Sequence, residues 1–166
     1  MKRRTEIPKR LISADERKGR AARGFTLIEL VVVVVITGVL AAIAVPSYQG
    51  MRERAQIAAA ISEIASLQQE ITEFRLLNNR YPTSLAEIGR DADLDPYGRP
   101  YSYLNHDGAS DGAKRKDRFL VPVNTDYDLY SLGPDGLTAA PFTAGESRDD
   151  IVRANNGGFI GLAEIF

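Results

Sequence analysis

From Phe25 to Val45 the chain runs for 21 residues with one ionisable side chain, Glu29. A helix needs roughly 20 consecutive apolar residues to cross the hydrocarbon core of a bilayer, so this segment is long enough. The five valines Val31–Val35 favour strand in water. In lipid every backbone polar group must be satisfied within the segment, and helix wins. A carboxylate at that depth costs about 2.5–3.5 kcal/mol unless partnered, which marks Glu29 as a functional residue. Thr37 and Gly38 are small enough to let a neighbouring helix approach closely. Pro46 removes one backbone bond, so a kink or local melting is expected near residues 42–46.

The net charge of −1 hides an asymmetry. Residues 1–24 carry nine Lys/Arg against three acids, whereas the remainder carries twelve against nineteen. Basic residues before an apolar span predict a single-pass protein with its amino terminus in the cytoplasm and its carboxy-terminal head outside. A nucleic-acid partner is not expected, because the leader lacks aromatic or periodic positions and runs straight into the apolar segment. The apolar run exceeds the 7–15 residues or so of an ordinary signal-peptide core, so any processing is expected before it, at Arg23-Gly24. With no cysteine, an exported head is held by packing, a metal ion or assembly with neighbours.

Beyond Pro46 the pattern turns amphipathic. Ile57, Ile61, Ile64, Ile71 and Phe74 recur at helical spacing, with Tyr48, Ala58, Leu67 and Leu77 filling the stripe. The helix is expected to stop at Leu77–Asn79, before Tyr81-Pro82 forces an extended link. Thr83–Gly89 reads as a short helix, capped by Thr83 or Ser84 and ended by Gly89. Asp95-Pro96-Tyr97-Gly98 is a turn by composition and Tyr101–Leu104 a short strand. Phe119–Val123 and Tyr127–Leu132 alternate like an antiparallel pair joined by Asn124-Thr125-Asp126. Gly133–Asp150 reads as loop, and Ile151–Phe166 has no clear period. The expected fold is α+β, a small antiparallel sheet laid on the amphipathic half of a long helix.

Enzyme chemistry finds little support. His106 is the only histidine, has no cysteine partner, and reads as a solvated loop residue. Lys114-Arg115-Lys116 reads as a solvated face. No phosphate-cradling glycine loop or nucleophile elbow occurs.

Gly24-Phe25-Thr26-Leu27-Ile28-Glu29 resembles the class III signal sequence of type IV pilins and of the pseudopilins of type II secretion. The resemblance implies cleavage after Gly24 by a prepilin peptidase and methylation of the new amino terminus on Phe25. It also implies an assembly role for Glu29, pairing with a neighbour's terminal amine. Two buried opposite charges each cost several kcal/mol alone, and pairing offsets much of that.

Three further stretches narrow the resemblance to the major pseudopilin of type II secretion. They are Arg80-Tyr81-Pro82-Thr83, Asp95–Tyr101 and Tyr127–Gly136. The similarity implies a pilin-like fold whose loop of residues 132–151 binds calcium. Its ligands would be the Leu132 carbonyl, Asp135, Asp149 and Asp150. Calcium takes carboxylate and carbonyl oxygens from irregular loops, which suits such a segment. The chain departs from the family pattern in the insert Leu137–Ala144 and in the ending Val152–Phe166.

The domains implied are a cleaved basic leader (1–24), a transmembrane and filament-core helix (25–46), its amphipathic half (47–79) and a globular head (80–166). The function implied is a non-enzymatic subunit of a periplasmic pseudopilus that drives protein export from the inner membrane. Its partners would be copies of itself, minor pseudopilins, an inner-membrane assembly platform, a prepilin peptidase and an outer-membrane secretin. Two alternatives stay open: a type IV pilin or minor pilin for adhesion, motility or DNA uptake, and a single-pass membrane receptor or tether.

Overall fold

A computed structural model describes residues 24–166, so the basic leader expected at the amino terminus lies, but for Gly24, outside the described residues. The chain divides into two compact units, with the boundary between Ile43 and Ala44.

Helix α1 spans Leu27–Asn78 and contains Pro46. It stays helical through the proline, so the melting expected near residues 42–46 does not occur. Proline's fixed φ suits a helix, and the residues on either side stay helical despite one missing N–H donor. The helix stops where expected. Asn79 takes φ 54° and its N–H returns to the Arg75 carbonyl at 2.8 Å, a left-handed end.

In the second unit, Ala60, Ile64, Leu67 and Ile71 are the buried positions of α1, at spacings of four, three and four. That is one stripe of a 3.6-residue helix. Ile57 and Ile61 flank it, half-buried. Ala60 lies in this stripe where Ala58 was expected, and Tyr48 and Leu77 face outward. Each fully buried Ile or Leu contributes about 1.5–3 kcal/mol of apolar transfer.

The head that covers this stripe is a four-stranded antiparallel sheet in the order β1 (Ser102–Asn105), β2 (Tyr127–Ser131), β3 (Ile151–Ala154), β4 (Phe159–Leu162). Strand alternation sends Tyr127, Leu129 and Ile151 into the cluster with Ile64, Leu67 and Ile71. On the opposite face Val152 and Ala154 pack with Phe142 and Ala163 in a second cluster, flanked by Tyr130. The sheet is therefore covered on both sides. The short helix expected at Thr83–Gly89 is a 3-10 turn, Leu85–Ile88, ended by Gly89 at φ 72°. Ser84 makes no side-chain cap there. The Thr83 hydroxyl instead donates to Glu87 at 2.9 Å.

Two expectations about the sheet are corrected. Phe119–Val123 is not a strand. The Asp117 carboxylate accepts the N–H groups of Phe119 (2.8 Å) and Val121 (2.9 Å), taking donors that a ladder would use. Tyr127–Ser131 pairs with Ser102–Asn105 and Ile151–Ala154 instead. Conversely, Ile151–Phe166 contains the hairpin β3–β4. All four residues of β3 are buried, so the strand lacks the period-2 alternation that would have revealed it.

Candidate functional site

The first unit carries the amino-terminal part of α1. Thr26 stands just before the helix, and its backbone N–H and hydroxyl both donate to Glu29 Oε2 at 2.8 Å. The Glu29 N–H donates back to the Thr26 hydroxyl at 3.2 Å. This is a capping box, Thr-x-x-Glu, which satisfies orphan donors at the helix start and fixes the carboxylate beside its positive end. The Thr-x-x-Glu spacing of Thr26 and Glu29 is visible in the sequence, beside the assembly role expected for Glu29.

The helix is long and apolar enough to cross a membrane, and its most apolar window has no buried residue. Phe25, Leu27 and Ile28 are 88%, 82% and 70% exposed, and Val31–Ile36 are exposed as well. A row of uncovered large apolar side chains on this scale is stable only in lipid or against other helices. Thr37 folds its hydroxyl back onto the carbonyls of Val33 (2.8 Å) and Val34 (3.0 Å), so it presents no free polar group there. Gly24 and Phe25 lie just ahead of the helix, and Pro46 lies inside it.

The second candidate is the loop of residues 132–151 in the head. Leu132, Asp135 and Asp149 come together. The Leu132 carbonyl accepts the Gly136 N–H at 3.2 Å, and Asp149 Oδ2 accepts the Asp135 N–H at 3.3 Å. Gly133 takes φ 62°, and a Cβ there would sit 2.3 Å from the Asp149 carbonyl oxygen, so this position requires glycine. Asp135 Oδ1 is engaged by the Leu137 N–H at 2.8 Å. Arg99 donates to the carbonyls of Gly133 and Pro134.

Asp150 behaves differently. It is fully buried, and its Oδ2 accepts from Arg115 Nη2 at 2.7 Å and from the Thr138 hydroxyl at 2.6 Å. Burial pushes its carboxyl up to about 6, against the downward pull of the Thr138 and Arg115 hydrogen bonds.

Calcium takes six to eight oxygens at close range. Among the described residues no three acidic, histidine or cysteine side chains converge to hold a metal. In this loop the Gly133 and Pro134 carbonyls and Asp150 Oδ2 face guanidinium groups, Asp149 Oδ2 and Asp135 Oδ1 face backbone N–H donors, and Asp150 Oδ1 is buried without a partner. The residues present do not fit the four-residue calcium set as a shell.

Two polar residues expected in solvent are buried. His106 is 9% exposed, with Nε2 3.0 Å from Asp128 Oδ2, a close contact without hydrogen-bond alignment. Arg115 is 3% exposed, although Lys114 and Lys116 flank it. A basic triplet gives no sign of which member turns inward, because the partners, Asp128 and Asp150, are distant in sequence.

A long helix with an uncovered apolar amino-terminal part and an α+β head of four antiparallel strands defines a pilin-like protein. The family model "Prokaryotic N-terminal methylation motif" matches residues 19–45, and "Type II secretion system (T2SS), protein G" matches residues 47–152. The chain is 36% identical to the type II secretion system core protein G of Pectobacterium carotovorum subsp. carotovorum over 135 residues, 73% of this chain and 81% of the relative. The protein of the same description from Dickeya chrysanthemi is 31% identical over 160 residues, covering 84% and 95%. That from Escherichia coli (strain K12) is 37% identical over 122 residues, covering 69% and 83%. No solved structure matches significantly. The chain belongs to the protein G family of type II secretion systems.

Proposed function

We propose that this chain is a major pseudopilin, the repeating structural subunit of the pseudopilus of type II secretion. One observation carries the reading. A methylation motif through residue 45 runs directly into a head of the protein G family, on a helix whose first part is uncovered. Such a segment is stored in a membrane and buried again when copies pack side by side. The head then sets spacing and surface, and no catalytic group is required of it.

Several finer steps complete the account. A prepilin peptidase cleaves after Gly24, and the amine released on Phe25 is methylated. Glu29, held by Thr26 at the helix start, then receives a neighbour's terminal amine. The excess of basic residues before the apolar segment supports a cytoplasmic leader and a periplasmic head. The partners follow from that placement: copies of the chain, minor pseudopilins, the inner-membrane platform and the outer-membrane secretin.

Intact-mass and amino-terminal analysis of the membrane-extracted protein tests the processing step. Methylated Phe25 as first residue is expected. A protein that retains Met1 or Arg23 contradicts it and favours an uncleaved receptor or tether.

A further inference from the structure

We infer that Arg115 is the internal cation of the 132–151 loop and holds it in place of a metal ion, so that the head keeps this loop without calcium. The inference concerns the head alone and stands whether or not the filament reading does.

A buried charge is tolerated only when it is paired and its hydrogen-bonding groups are used. Arg115 meets most of that condition through the loop itself, although its Nε is buried without a partner. Its Nη1 donates to the Thr138 hydroxyl and the Ala139 carbonyl, and its Nη2 to Asp150 Oδ2 at 2.7 Å. Thr138 closes the triangle by donating to the same Asp150 oxygen at 2.6 Å. The guanidinium carbon lies 4.6 Å from the ring centroid of Tyr130 and 5.1 Å from that of Phe142, close enough for attraction between cation and aromatic face. The Arg115 backbone N–H donates to Asp128 Oδ2 at 2.7 Å, fixing the arginine to strand β2.

The guanidinium contacts with Thr138, Ala139 and Asp150 do what a bound cation would do in such a loop. Carbonyl, hydroxyl and carboxylate oxygens from separate turns converge on one positive charge. The difference is that a planar fork, rather than a sphere, sets the geometry. Arg99 adds a second guanidinium on the carbonyls of Gly133 and Pro134. Thr138, Ala139 and Phe142, which build the Arg115 site, all belong to the stretch Leu137–Ala144 of the loop. Part of the cover comes from Phe166, edge-on to Phe142, beyond the family match that ends at residue 152.

The test is thermal unfolding of the full chain in detergent, followed by near-ultraviolet circular dichroism of the tyrosines, with excess calcium chloride or with EGTA. The wild type is expected to melt at the same midpoint in both. Arg115→Met is expected to melt about 10 °C lower, as removal of one partner strands a buried carboxylate. Arg115→Lys keeps the charge but loses the fork, and is expected between the two. If Arg115→Met does not fold, the wild-type pair of melts and Arg115→Lys still decide. A wild-type midpoint raised by calcium and lowered by EGTA overturns the inference. So does an Arg115→Lys or Arg115→Met protein as stable as the wild type.

Discussion

Arg153 forks onto Asp126. Its Nη1 and Nη2 donate to the two carboxylate oxygens at 2.9 and 2.8 Å, while its Nε donates to Gln68 of α1 at 2.8 Å. The same guanidinium lies 3.9 Å from the centroid of the Tyr127 ring. One side chain on β3 thereby ties the amphipathic part of the helix to the start of β2, in a site only 3% exposed at the arginine. A bidentate pair of this kind is worth more than a surface ion pair because both charges are fixed and largely shielded from water.

Arg153→Met is expected to lower the unfolding free energy by about 3 kcal/mol, since it strands a largely buried carboxylate. Urea unfolding of the full chain in detergent measures this. An unchanged midpoint would show that the fork adds nothing.

The same pair sets a pH dependence. Burial raises the Asp126 carboxyl, but the Arg153 hydrogen bonds and the Tyr127 amide outweigh it and hold the group below its ordinary value. A depressed carboxyl stabilises fully above its unfolded value and loses that contribution as pH falls through the folded one. The stability difference between wild type and Asp126→Asn should therefore shrink on acidification from about pH 5 to about pH 2. A difference that stays constant over that range contradicts the assignment.

Gly133→Ala should cost more than about 1 kcal/mol, because it combines a left-handed backbone with a collision against Asp149. Gly50, where an added Cβ meets nothing, makes a control on the same chain. Equal midpoints for Gly133→Ala and Gly50→Ala would remove the claim that the loop turn demands glycine.

Glu29→Ala should still be inserted and processed, yet yield few filaments. Immunoblotting of sheared and membrane fractions separates those outcomes. Wild-type filament yield would remove the pairing of Glu29 with a neighbour's amine, leaving it only the capping role that Thr26 shows.

The helix, its end at Asn79 and the apolar stripe were legible because a long segment of one period leaves a strong trace. Ile64, Leu67 and Ile71 stand where the pattern put them. Strand β3 was hidden because burial on both faces erases alternation, although the run Asn155-Asn156-Gly157 beside it was a turn signal. The false strand at Phe119–Val123 arose the other way, since its alternation is real but Asp117 captures its backbone donors. In the site, Glu29 was legible from the cost of a charge in lipid. Arg115 was not, because its role depends on partners brought from 13 and 35 residues away.

The central claim, that this chain is the repeating subunit of a secretion pseudopilus, is tested most directly by deleting its gene and assaying secreted enzymes in medium and periplasm. The account predicts that exported enzymes accumulate in the periplasm and that the wild-type gene on a plasmid restores their release. Normal secretion in the deletion strain, with loss of long surface fibres instead, would contradict it.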